Sequence, residues 1–170
     1  MQTSSVKFYS LDFNQTKTYG IAALFVIGNL LLPQLFHLVP RGGNIWLPIY
    51  FFTLVGAYKY GWKAGLLTAV ASPIANALLF GMPAVAALPA ILLKSVLLAV
   101  AAGFAAARYH KASLLLLAAV VLFYQLLGTA GEWLMVGNLY DAAADFRLGV
   151  PGMLVQIFGG YLCINHIIRK

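Results

Sequence analysis

The stretch from Asn44 to Lys94 limits what this chain can fold into more than any other. It reads NIWLPIYFFTLVGAYKYGWKAGLLTAVASPIANALLFGMPAVAALPAILLK. Two apolar runs flank the charged turn Tyr58-Lys59-Tyr60-Gly61-Trp62-Lys63, and a third begins at Ala84 and carries the lone Lys94 into its interior. The rest of the chain repeats this plan of apolar run, short loop, apolar run. A water-soluble domain carries roughly 25% charged residues; here 9% are charged and 62% hydrophobic, too little polar surface to face water. The solvent for such a chain is a bilayer.

A hydrocarbon core of about 30 Å takes about 20 apolar residues per helix. On that measure the chain reads as an all-α membrane protein, a compact bundle of six transmembrane helices. The spans fall at about 18–36, 45–58, 62–80, 84–107, 112–136 and 147–168, after a polar, partly amphipathic arm at 1–17. The second run is short for a full crossing. Pro73 removes a backbone donor, that for the Ala69 carbonyl, and is expected to kink the third span and turn Asn76 inward beside the break. The arm shows no basic segment, apolar segment and cleavage site in series, so the first internal helix is expected to start insertion.

Six spans place both termini on one side, and the basic residues say which side. Lys7, Lys17, Lys59, Lys63, Arg108, Lys111, Arg169 and Lys170, eight in all, fall on the terminal side; Arg41 and Arg147, two, fall on the other, and Lys94 lies within a span. Short loops rich in Lys and Arg stay inside, so both termini are expected to be cytoplasmic. The net charge of +7 is therefore a topology signal, and nucleic acid is not an expected partner. The single cysteine, Cys163, permits no internal disulfide.

Lys94 and Glu132 are the residues most able to carry chemistry. An ionised side chain at mid-membrane costs at least about 2.5–3.5 kcal/mol and normally faces a cavity or a partner. Both fall in the outer half of their spans, and a lysine can reach several ångströms along its stem. They read either as an ion pair joining two helices or as a polar ligand site open to the outside. Asn76 reads as a site group or as an interhelical hydrogen bond. Trp46, after Asn44, and Trp133, beside Glu132, read as interfacial belt residues or as walls for a planar ligand. Asp141 and Asp145 read as a solvated outer loop. His37, in the first outer loop, reads as a solvated loop residue rather than a metal ligand, and His110 and His166, on the cytoplasmic side, lack partners at metal-ligand spacing. No H-E-x-x-H, G-x-S-x-G or phosphate-binding Gly-rich loop occurs, so no catalytic residue, metal or cofactor is expected.

The run Leu54-Val55-Gly56-Ala57-Tyr58-Lys59-Tyr60-Gly61-Trp62-Lys63-Ala64-Gly65-Leu66, followed by Ser72-Pro73, Asn76 and Phe80-Gly81-Met82-Pro83, resembles the substrate-binding S components of energy-coupling factor (ECF) transporters. Those share a hydrophobic-Gly-x-x-Tyr/Leu-Gly-x-x-x-Gly turn between their second and third helices. The resemblance covers about 18–168 as architecture and about 44–95 as motif. It implies a six-helix bundle in a bacterial or archaeal cytoplasmic membrane, without enzymatic activity of its own. It also implies a vitamin-like nutrient bound in the outer half, near Lys94, Glu132 and Trp133; Asn76, Asn44 and Trp46 are further ligand-binding candidates on the reading of the residues themselves. The expected partners are a coupling membrane subunit and two cytoplasmic ATPase subunits. The family's Ala-x-x-x-Ala docking motif on helix one is missing, since Ala22 is followed at that spacing by Val26. A divergent coupling module and solitary action both remain open. A structural or assembly subunit, in which Lys94 and Glu132 only hold helices together, is the alternative reading, and a small intramembrane enzyme is the weakest.

Overall fold

The computed structural model describes residues 7–168, and among these there is no strand. In chain order the helices are α1 (Thr16–Phe36), α2 (Gly42–Trp46), α3 (Phe51–Tyr60), α4 (Trp62–Phe80), α5 (Leu88–Tyr109), α6 (Leu114–Val136), α7 (Leu139–Ala142), α8 (Ala144–Leu148) and α9 (Val150–Ile167). Short 3-10 turns at Pro48–Tyr50 and Val85–Ala87 lead into α3 and α5. Five helices, α1, α4, α5 with its lead-in turn, α6 and α9, are long and apolar enough to cross a membrane. That is the make-up of a multi-pass membrane protein.

Punctuation in the sequence sets most of these ends. Pro89 and Pro151 sit in the first turns of α5 and α9, where a missing N–H costs nothing. Ser113 caps α6 by accepting from the Leu116 amide at 3.3 Å. At the other end of α6, Gly137 adopts the left-handed conformation that closes a helix, with φ 75°.

The second predicted span, 45–58, is not one helix. Pro48 has no N–H and disfavours helical backbone in the residue before it, so the chain breaks at Leu47, which sits at φ 47°, ψ 46°. The segment after the break, α3, lies at the centre of the bundle. Every residue from Thr53 to Lys59 is buried. α4 follows through Gly61, at φ 98°, and packs so close to α3 that a Cβ on Gly65 would lie 2.3 Å from that of Ala57. The Gly-x-x-x-Gly spacing in this turn therefore has two jobs, a bend and a close helix contact. The last span also starts later than its predicted 147, because 144–148 forms the separate α8.

Residues 7–12 of the N-terminal arm form a strap without regular secondary structure, and the arm's last two residues already belong to α1; residues 1–6 lie outside the described residues. The strap's amides at Tyr9 and Leu11 donate to the carbonyls of Lys59 and Tyr60, at 2.9 and 3.1 Å. A helix end leaves such carbonyls without intrahelical donors, so the strap closes the end of α3. Tyr9 stacks on Tyr60, Phe8 meets Tyr58 edge-on, and Asp12 pairs with Lys63 at 2.7 Å. The Tyr58 hydroxyl donates to the carbonyl of Lys111 at 2.8 Å. This end of the bundle thus gathers the Lys59–Lys63 and Arg108–Lys111 turns. The opposite end carries α2, α7, α8 and the connection 81–87.

Candidate functional site

The opposite end holds a cavity of about 400 Å³. Pro33 from α1 and His37 just after it, Gly43 and Asn44 from α2, Pro48 and Ile49, Asn76, the Gly81–Ala84 corner, Ala87 and Ile91 line it. The apolar members form most of the wall, and Asn44 and His37 are exposed. Asn76 is the buried polar member, at 2% exposure.

The position of Asn76 follows from two prolines. α4 runs unbroken as a helix through Pro73, and Asn76 lies one turn on, facing inward as its sequence position predicts. In α1, Pro33 cannot donate to the carbonyl of Asn29, four residues earlier. The Asn76 side-chain amide takes that place, donating to the Asn29 carbonyl at 2.9 Å and to the Ser72 carbonyl at 3.0 Å. Asn29 is itself fully buried; its side chain donates to Thr53 and Ser72 hydroxyls at 3.0 and 3.1 Å. Its side-chain oxygen accepts from the Phe52 amide at 3.2 Å, in the first turn of α3. One asparagine thus ties α1, α3 and α4 together. With both amide hydrogens of Asn76 engaged, its Oδ1 is buried and has no partner.

Lys94 and Glu132 meet, as their shared depth suggested. The Lys94 ammonium lies 2.6 Å from a Glu132 oxygen. It lies equally close, 2.6 Å, to Asp145 on α8. The expectation that Asp145 belongs to a solvated loop is therefore wrong. The α7–α8 connection folds back over the end of α6 and brings that carboxylate onto the buried lysine. The lysine is 1% exposed, with its stem against Gly128. The network holds one positive and two negative charges and joins α5, α6 and α8.

Neither Lys94 nor Glu132 lines the cavity, although Ile91, one turn from Lys94 on the same helix, does. Of the other sequence candidates, Asn44 lines it. Trp46 stacks instead on Phe36, with ring centroids 5.4 Å apart, and Trp133 is 46% exposed and outside the cavity. The sequence reading missed Asn29, although a polar residue four places before a proline marks an unpaired carbonyl nearby. It also missed the Tyr124 hydroxyl, which donates to Gln156 at 2.9 Å and links α6 to α9. Among the described residues no cluster of three His, Cys, Asp or Glu could hold a metal ion.

No protein-family model, no curated protein and no solved structure matches the chain.

Proposed function

We propose that this chain is the substrate-binding membrane subunit of a nutrient uptake system, of the kind the S components of ECF transporters provide. The observation that carries the reading is the cavity between α1, α2, α4 and α5, at about 400 Å³. Small-molecule sites run from roughly 300 to 1,000 Å³ and have apolar walls with a few placed polar groups, which describes this one. On this reading Asn76 and Asn44 bind the ligand. Lys94, Glu132 and Asp145 clamp the helices beside it. The central segment 48–60 counts as the sixth crossing, both termini are cytoplasmic, and the cavity opens to the outside. The protein sits in a bacterial or archaeal cytoplasmic membrane. A coupling membrane subunit and two cytoplasmic ATPase subunits supply the energy, since the chain has no nucleotide-binding motif of its own.

Native mass spectrometry of the detergent-purified chain tests this. A small molecule retained by the wild type and lost in Ala87→Phe, which fills the cavity from an exposed turn, supports the reading. No retained molecule, together with no Ala87-dependent uptake of any nutrient by cells carrying the chain and its partners, overturns it.

The network of Lys94, Glu132 and Asp145 favours the structural reading for those residues alone. Its charges lie against one another and outside the cavity walls.

A further inference from the structure

The charges around the cavity name the class of its occupant, on the reading that it is a ligand site. The chain has four acidic residues, and each is held elsewhere. Glu132 and Asp145 sit on the Lys94 ammonium, Asp141 accepts from the Asn138 side-chain amide at 2.8 Å, and Asp12 pairs with Lys63 at the other end of the bundle. None of them lines the cavity. A cationic ligand would therefore leave water without gaining a counter-charge, which is heavily disfavoured.

An anion meets a different wall. His37 is the titratable residue in it, and no lining residue from α2, α4, α5 or the Gly81–Ala84 corner ionises. The His37 ring is exposed and makes no hydrogen bond or ion pair with any described residue. Its Nε2 lies over Gly43, 3.0 Å from where a Cβ would stand, so the missing side chain makes room for the ring at the cavity wall. Histidine is the side chain that gains positive charge as pH falls from 8 to 5. Arg41, the other charged residue of the connection between α1 and α2, is cationic throughout that range. The wall is also graded by depth. Pro33 and Pro48 are buried and Ile49 and Ile91 half-buried, while His37 and Asn44 are exposed at the rim. One imidazolium balances one negative charge, which suits a carboxylate better than a phosphate dianion. We infer that the cavity binds a molecule with an apolar body and a carboxylate head, the body against Pro33, Pro48, Ile49 and Ile91 and the head at the rim by His37 and Asn44.

Three probes share one ring and differ in charge: benzoate (anion), benzamide (neutral) and benzamidinium (cation). Their affinities for the purified full chain are measured by ligand-observed NMR titration at about pH 5.5 and 7.5, on either side of the histidine range. His37→Gln and Ala87→Phe are measured beside the wild type, and binding is counted as the part that Ala87→Phe removes. Benzoate is expected to bind best at the lower pH and about fivefold more weakly at the higher, the upper end for an exposed ion pair. Benzamide should hold its affinity across the two. His37→Gln, neutral at both, should abolish the pH step and keep benzamide binding, which shows that its cavity is formed. Benzoate binding without a pH step, or with a step that survives in His37→Gln, overturns the role of His37. Benzamide or benzamidinium binding best at the lower pH overturns the carboxylate class while the cavity stands as a ligand site. No binding that responds to Ala87→Phe removes both the class and the site.

Discussion

The side-chain amide of Asn76 donates to the backbone carbonyl of Asn29 at 2.9 Å, filling the place that Pro33 leaves empty in α1. A proline in one helix is thus matched by an asparagine in another. The two are coupled energetically although their side chains do different things. Asn76→Ala strands a buried carbonyl and should cost about 1–3 kcal/mol. In a Pro33→Ala background the helix supplies its own donor, and the same change should cost at least 1 kcal/mol less, again about the value of one hydrogen bond. Thermal unfolding of the four proteins in detergent, read as a double-mutant cycle, checks this. Strict additivity would show that the bond contributes nothing.

Lys94→Met leaves Glu132 and Asp145 facing each other without their cation, and should cost about 3–5 kcal/mol. Adding Glu132→Gln still leaves one carboxylate uncompensated. Only the triple change, with Asp145→Asn, removes every charge, and it should recover most of the lost stability. Because the network lies outside the cavity walls, the triple variant should also bind any cavity ligand as the wild type does. A stable triple variant with a large loss of affinity would return these residues to the site.

α2 rests directly on the start of α9. A Cβ on Gly152 would lie 2.4 Å from the carbonyl carbon and oxygen of Trp46, and backbone cannot step aside as a flexible side chain can. Gly152→Ala should therefore destabilise by about 1–3 kcal/mol through overpacking and raise the thiol reactivity of a cysteine placed at Asn44. Gly20→Ala is the control. Nothing lies within 4 Å of its added carbon, so it should be neutral or slightly stabilising.

The strap carries the one charge pair whose titration is simple to follow. Lys63, hydrogen-bonded to Asp12, holds that carboxyl below its ordinary value of 3.8. A depressed folded value means that the ion pair favours the docked strap above the unfolded value and loses its effect as pH falls through the folded one. Protection of the Tyr9 and Leu11 amides from hydrogen exchange, taken relative to the intrinsic rate at each pH, should thus fall below pH 3.8 in the wild type. In Asp12→Asn it should be lower already at neutral pH and show no such step.

The proposed orientation is tested with single cysteines in a Cys163→Ala background. A cysteine at Tyr109 should resist an impermeant thiol reagent in intact cells, and one at Ala143 should react. The reverse pattern inverts the topology and places the cavity on the cytoplasmic side.

Hydropathy alone located the long helices, because lipid demands about 20 apolar residues and little else produces such runs. It misjudged 45–58, where the apolar count continued across Pro48 but the hydrogen-bonding pattern did not. Lys94 and Glu132 could be paired from the sequence because each is costly at its depth. Asp145 could not, since a carboxylate in a polar connection costs nothing until the connection folds back. Its signal lay in the lysine. One buried cation near the end of the bundle that carries α7 and α8 invites any carboxylate that can reach it, and two did. The cavity was legible only through Asn44 and Asn76. Its apolar walls come from five separate segments, whose meeting depends on bends at Pro48, Gly81 and Pro83 that periodicity does not encode.

The central helix α3 has a consequence for biogenesis. At 10 residues it spans about 15 Å, half a bilayer, and its buried face includes Thr53 and Lys59. Such a segment does not partition stably from the translocon into lipid by itself. It needs α1, α4 and α5 around it, so it must be held back until α5 has been synthesised and then inserted as part of a group. Ribosome-stalled chains in which α3 has emerged from the ribosome but α5 has not should leave this segment accessible to protease, and chains in which α5 has emerged too should protect it.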